Sequence, residues 1–209
     1  MIKAIVFDYD ETLTRTIDGK ARAYSDFAMA EYGKVLTTED VKKAFGIKYE
    51  EFIKVLFGDI ETVEKIIGKY QKFSANYPPI PYEGAIETVN KLFKKYLIGI
   101  VSGIRRKDLN NDLEQLGFDQ KMFFHIQCGD ETKILKPNPI VFEPLKNKLK
   151  LCQIKPEEVV YVGDSLGDML AAKGAGFKFI GIAGHTRSAE EFRENGAEII
   201  ESLSELEEI

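Results

Sequence analysis

Short, continuously apolar runs recur along the chain, separated by amphipathic stretches. KAIVFD (3–8), LIGIVS (97–102), MFFHIQ (122–127), VVYVGD (159–164) and FKFIGI (177–182) lack the alternation of a half-exposed strand. Such runs predict strands of a parallel sheet covered on both faces. Between them, 84–95, 105–116, 138–150 and 166–175 carry apolar residues at helical spacing, and Gly117 and Gly176 stand where helix C-caps should fall. Strands separated by helices of this length predict βαβ units and an α/β, doubly wound parallel sheet.

One block breaks the alternation. Between Thr16 and about Tyr77 the pattern shows no strand but three or four helical segments, with Thr38 as an N-cap and Gly33, Gly46, Gly58 and Gly68 as punctuation. YPPIPYEG (77–84) then reads as a proline-rich return linker. A block this long is not a loop. It predicts an inserted all-helical domain at 16–80, within an α/β core made of 1–15 and 81–209. The acidic tail ESLSELEEI reads as a short amphipathic helix.

Composition narrows the function. The chain has 209 residues and a formal net charge of -5. Nucleic acid or an anionic membrane as the main partner would call for a basic face instead. Any phosphate on a ligand must then be held locally, by a metal, a lysine or backbone N–H groups. Cys128 and Cys152 form no CxxC pair and read as two small buried thiols of a reducing compartment. MIKAIVFDYDE meets carboxylates before an apolar leader segment is built, and no uncharged run is long enough to span a bilayer. A cytoplasmic protein is expected, with its oligomeric state open.

Candidate chemistry gathers at strand ends. The first strand closes on Asp8-Tyr9-Asp10-Glu11-Thr12, and ligands of open α/β sheets bind at that edge, where the strand order reverses. Ser102 and Gly103 close the second run, offering a hydroxyl and backbone N–H groups to an anion. Lys136 stands in the loop Leu135-Lys136-Pro137-Asn138-Pro139, and Gly163-Asp164-Ser165-Leu166-Gly167-Asp168 follows VVYV, where Gly163 permits close backbone approach. Each segment alone reads equally well as a turn, a cap or a solvated lysine. Together they converge on one pocket if the first strand lies between those beginning at 97 and 159.

In these segments the sequence resembles the haloacid dehalogenase superfamily, specifically its phosphatases with a helical cap inserted after the first strand. DYDETL, VSG, Lys136 with KPNPIVF, and GDSLGD carry the resemblance in chain order, and PYEGAIETVNKL matches as well. Glu11 stands where the commonest form has glycine, and Arg15-Thr16 where many members have Asp-Ser. The resemblance implies a Rossmann-like core and a Mg²⁺-dependent phosphate-monoester hydrolase acting on a small phosphorylated metabolite. It implies Asp8 as nucleophile forming an aspartyl-phosphate, and Asp10 as general acid and base. Mg²⁺ would be held by Asp8, Asp164 and the backbone carbonyl of Asp10. Ser102 and Gly103 would hold phosphoryl oxygens, with Lys136 offsetting charge. Thr12 would support the site from behind, and Asp168 would orient Lys136 or a metal-bound water.

Other residues draw duller readings. His125 reads as a satisfied strand histidine, His185 as a loop residue without a role, and Arg105, Arg106 and Lys107 as a solvated basic turn. Phe27, Tyr32, Phe45, Tyr49, Phe52 and Phe57 read as helix-packing residues. A phosphomutase shares the same motifs. A phosphonate-cleaving enzyme would need a Schiff-base lysine, for which Lys20, Lys42 and Lys48 are present. A non-catalytic sensor of a phosphorylated ligand has no use for a nucleophile beside an acid, and a dehalogenase has no use for Asp10 or a metal.

Overall fold

The computed structural model describes residues 1–184 and 189–209. In chain order the elements are β1 Ala4–Phe7, β2 Thr14–Arg15, α1 Ile17–Tyr32, α2 Thr38–Ala44, α3 Tyr49–Phe57, α4 Val63–Phe73 and β3 Ile80–Pro81. There follow α5 Ala85–Leu92, β4 Leu97–Val101, α6 Arg106–Leu116, β5 Phe123–Gln127, α7 Glu143–Leu151, β6 Val159–Gly163, α8 Leu166–Gly174, β7 Lys178–Ile182, α9 Ala189–Glu194 and β8 Glu198–Ile200. The chain divides into two compact units, one formed by Met1–Thr14 with Pro81–Ile209 and the other by Arg15–Ile80. No described helix is long and apolar enough to cross a membrane.

The first unit is built on a parallel sheet of order β5-β4-β1-β6-β7-β8. β1 lies between β4 and β6, with Phe7 opposite Ile100 on one side and Val162 on the other. Alternate β1 residues face opposite layers. Ile5 and Phe7 pack with Val89 and Leu92 of α5 and Leu109 and Leu113 of α6. Ala4 and Val6 pack with Leu145 and Leu149 of α7 and Met169 of α8. Both faces are thus dry, which explains the continuous apolar runs. Successive strands run outward from β1 in opposite directions, so their C-terminal ends frame a crevice beside Asp8.

Several local features depart from the expectations. The tail 201–209 forms a short 3₁₀ helix in place of an α-helix, and a strand precedes it. β8 pairs with β7, and Leu203–Glu208 form the 3₁₀ helix, with Leu203 and Leu206 buried against the sheet. A three-residue edge strand beginning at a glutamate carries too short an alternation to register. The stretch 138–150 opens with a 3₁₀ turn, Pro139–Phe142, before α7. The N-cap of α2 is Thr37, not Thr38: its hydroxyl accepts from Asp40 N while its own N–H donates to the Asp40 carboxylate. Gly68 lies inside α4 rather than punctuating it. Cys128 is buried as expected, but Cys152 is exposed. His185 lies outside the described residues.

In the second unit the aromatics are packing residues. Tyr24 stacks on Tyr70 at 3.7 Å, and Phe27 meets Phe57, Tyr32 and Phe73 at 5.5–5.7 Å. Phe52 packs on Phe45 and Tyr49.

Candidate active site

The loop after β1 is organised by one carbonyl. The Tyr9 oxygen accepts the N–H groups of Leu13 at 3.0 Å, Thr14 at 3.2 Å and Thr12 at 3.3 Å, plus the Thr14 hydroxyl. Asp8 N donates to Val162 O at 2.9 Å, extending the β1–β6 ladder by one residue and fixing the Asp8 backbone. The chain then turns through Glu11 at φ 57°, left-handed backbone that costs a non-glycine residue about 1–2 kcal/mol. Glu11 therefore keeps the turn that glycine would take. Its carboxylate accepts a hydrogen bond from the Tyr82 hydroxyl at 2.7 Å, pinning the turn.

Asp8, Asp164 and Asp168 each bring a carboxylate oxygen within 4.8 Å of the others. All three are largely withdrawn from water, Asp168 being only 1% exposed. Lys136 Nζ bridges two of them, 2.9 Å from Asp8 Oδ1 and 2.6 Å from Asp168 Oδ1. One ammonium thus sits among three clustered carboxylates, in direct contact with two of them. Burial pushes the Asp8 carboxyl up to about 6, reinforced by Asp168 and Asp10, although Lys136 pulls it back. For Lys136, burial opposes the ammonium, but Asp168 and Asp8 outweigh it and hold it well above the ordinary lysine range.

Asp168 serves two purposes. Its Oδ2 accepts from Ser165 N at 3.1 Å and Ser165 Oγ at 2.5 Å, while Ser165 Oγ accepts from Asp168 N. That capping box starts α8. The other oxygen meets Lys136, so one carboxylate both caps the helix and pairs with the lysine. Gly163 makes this possible, because a Cβ there would lie 2.7 Å from Asp168 Cβ and Cγ. Thr12, fully buried, donates to Asp164 Oδ1 at 3.3 Å. Asp10 is half-buried in the loop, bridged to Thr14.

Ser102 and Gly103 follow β4, beside the end of β1. Ser102 is buried, with its N–H on Gln127 O. Gly129 packs against this segment: a Cβ on it would stand 2.3 Å from Gly103 O. Gly129→Ala is therefore expected to displace the Gly103 turn, because backbone cannot rotate away as a side chain can. A lowered thermal midpoint together with weakened inorganic-phosphate binding would report it, and unchanged values of both would contradict it. Arg105 and Arg106 are not merely solvated. Arg105 pairs with Asp108, and Arg106 grips Glu131 through two nitrogens and donates to Ile126 O. His125 is buried with one ring nitrogen 3.3 Å from Gln127 Oε1 and the other unpartnered, so it is only half satisfied. Tyr161, unmarked within an apolar strand, places its hydroxyl 2.9 Å from Lys136 Nζ.

Comparison with known proteins agrees with this layout. The family model for haloacid dehalogenase-like hydrolases matches residues 5–182, from the strand that carries Asp8 through β7. Pyrophosphatase PpaX of Anoxybacillus flavithermus (strain DSM 21510 / WK1) is 32% identical over 186 residues, covering 87% of this chain and 84% of that protein. PpaX of Halalkalibacterium halodurans is 31% identical over 185 residues, covering 85% of this chain and 81% of the relative. Among solved structures, CbbY from Rhodobacter sphaeroides in complex with phosphate superposes with a TM-score of 0.79 at 23% identity, over 99% of this chain and 96% of that one. With strand order, loop geometry and matched span in agreement, the chain belongs to the haloacid dehalogenase-like hydrolase family.

Proposed function

We propose that the protein is a Mg²⁺-dependent phosphate-monoester hydrolase that passes the phosphoryl group through Asp8, acting on a small cytoplasmic metabolite. The observation that carries this reading is the buried Asp8–Lys136–Asp168 bridge with Asp164 within 4.8 Å. A structural ion pair needs one carboxylate; three buried carboxylates with oxygens within 4.8 Å of one another form a donor set suited to a cation. Closely set hard oxygen donors suit Mg²⁺. Asp8, Asp164 and the backbone carbonyl of Asp10 would hold it, and when bound it would offset charge on the phosphoryl oxygens.

The chain's own residues do the rest. Lys136 holds the Asp8 carboxylate in one orientation. Asp8 attacks phosphorus, the ester P–O bond breaks, and Asp10 gives its proton to the departing alkoxide. Asp10 then takes a proton from the water that attacks the aspartyl-phosphate, releasing phosphate and restoring Asp8. Ser102 and the Gly103 N–H receive the phosphoryl oxygens, with the Arg15–Ile80 unit as the specificity-bearing cap.

A second reading, hydrolysis of inorganic pyrophosphate, is favoured by the PpaX relatives. Of the three lysines considered for phosphonate cleavage, Lys42 is tied to Asp18 at 2.8 Å and held above its ordinary value by that hydrogen bond, the reverse of a Schiff-base lysine. The test is phosphate release from a panel of phosphorylated metabolites and pyrophosphate. Exhaustive EDTA treatment should abolish release, and Mg²⁺ should restore it far better than Ca²⁺, which prefers looser, higher coordination. Full activity in EDTA would remove the metal from the scheme. Inactivity across the whole panel would remove the hydrolase.

A further inference from the structure

Lys136 meets more than two carboxylates. Tyr161, in the middle of β6 and fully buried, places its hydroxyl 2.9 Å from Lys136 Nζ. The same hydroxyl lies 2.7 Å from the carbonyl of Val101, the last residue of β4. A phenol has one proton. With that proton on Val101 O, the Tyr161 oxygen can meet Lys136 only as an acceptor. An ammonium has three protons, and its three closest oxygens are Asp8 Oδ1 at 2.9 Å, Asp168 Oδ1 at 2.6 Å and Tyr161 Oη at 2.9 Å, with Val101 O farther off at 3.4 Å. Two carboxylates alone would let the ammonium swing about the line joining them. A third acceptor removes that freedom.

The hydroxyl also spans the sheet. β1 lies between β4 and β6, so the Tyr161–Val101 bond reaches past the nucleophile's strand. Val101 directly precedes Ser102, hence one hydroxyl touches both the ammonium and the root of the turn beyond β4.

We propose that Tyr161 is a positioning residue: its hydroxyl, anchored on Val101 O, aims the Lys136 ammonium at Asp8 and Asp168 and ties it to the turn bearing Ser102. This rests on the roles given above to Asp8 and Lys136. Tyr161 touches no substrate atom and acts through Lys136.

Tyr161→Phe removes only the hydroxyl, leaving Val101 O and Lys136 each short of a buried partner. With 4-nitrophenyl phosphate and Mg²⁺, kcat should fall about tenfold, the scale of one lost buried hydrogen bond to a charged group, while KM stays within about twofold. The control is Phe142→Leu, which loosens packing on the same ring, 4.9 Å away between centroids, and keeps the hydroxyl. Its kcat should remain near wild type. A second readout needs no turnover. In ¹⁵N-lysine-labelled protein, Lys136 should give a slowly exchanging ammonium signal, identified by its loss in Lys136→Arg, and Tyr161→Phe should speed its exchange about tenfold. Unchanged kcat in Tyr161→Phe, an equal fall in Phe142→Leu, or no slow ammonium in the wild type would overturn the proposal. If the wild type hydrolysed no ester, the hydrolase reading would fail, and the ammonium signal would still decide the role of Tyr161.

Discussion

Asp8→Asn is expected to bring phosphate release to background while leaving the fold intact. The amide has the shape of the carboxylate but is not a nucleophile, so a covalent path through this residue closes. A nucleophile deletion of this kind lowers kcat on the order of 10⁴-fold or more. Stability should not suffer. Burial already pushes the Asp8 carboxyl up to about 6, so its charge is carried at a cost at neutral pH, and a neutral side chain relieves it. The substitution also removes one negative charge from the cluster of three carboxylates. The thermal midpoint should therefore match or exceed the wild type. Retention of about a hundredth of wild-type turnover would exclude covalent chemistry at Asp8.

Asp10→Asn should separate substrates by their leaving groups. An alkoxide is a strong base and departs slowly unless protonated, so a positioned acid contributes roughly 10²–10⁴-fold. Asp10 sits in the loop held by Tyr9 O, near enough for its charge to raise the Asp8 carboxyl, while Asp8, Asp164 and Asp168 form the acidic cluster. That division suits a proton donor standing beside the cluster. Alkyl phosphates should lose most of their turnover in the variant. Activated aryl phosphates should still load Asp8 but release phosphate slowly, giving a burst followed by a slow steady state. Pyrophosphate, whose leaving group is a less basic phosphate, should resemble the aryl esters in its first step. The wild type should release no halide from 2-haloacids. Normal alkyl-phosphate turnover in the variant, or efficient metal-free dehalogenation by the wild type, would overturn the assignment of Asp10.

Much of this site was legible in the chain because its groups are written locally. Asp8 and Asp10 end a strand, Ser102 ends the next, Lys136 sits in a proline-bounded loop, and Asp164 and Asp168 flank a helix start. Each is marked by the break between an apolar run and a polar turn. Thr12 and Asp168 were also visible as candidates, the latter as a partner of Lys136 or of a metal-bound water, though not as half of a capping box. What escaped had no such mark. Tyr161 is one aromatic among strand residues, Gly129 one glycine in a polar turn, and β8 three residues at an edge. Glu11 was visible as a departure from glycine, but its bond to Tyr82, 71 positions on, was not.

The sequence by itself determined the alternation of elements, the helical composition of the inserted block, and the identity and chain order of the groups at the strand ends. Those properties depend on periodicity and turn chemistry within windows of about ten residues. Only the tertiary structure decided which groups meet. Lys136 touches Asp8, Asp168 and Tyr161 because β1 lies between β4 and β6, an order no local window contains. The same order joins Tyr161 to Val101 across 60 residues and puts Gly129 under Gly103. Contacts of this kind arise from burying both faces of one sheet, so the whole chain specifies them and no segment does alone.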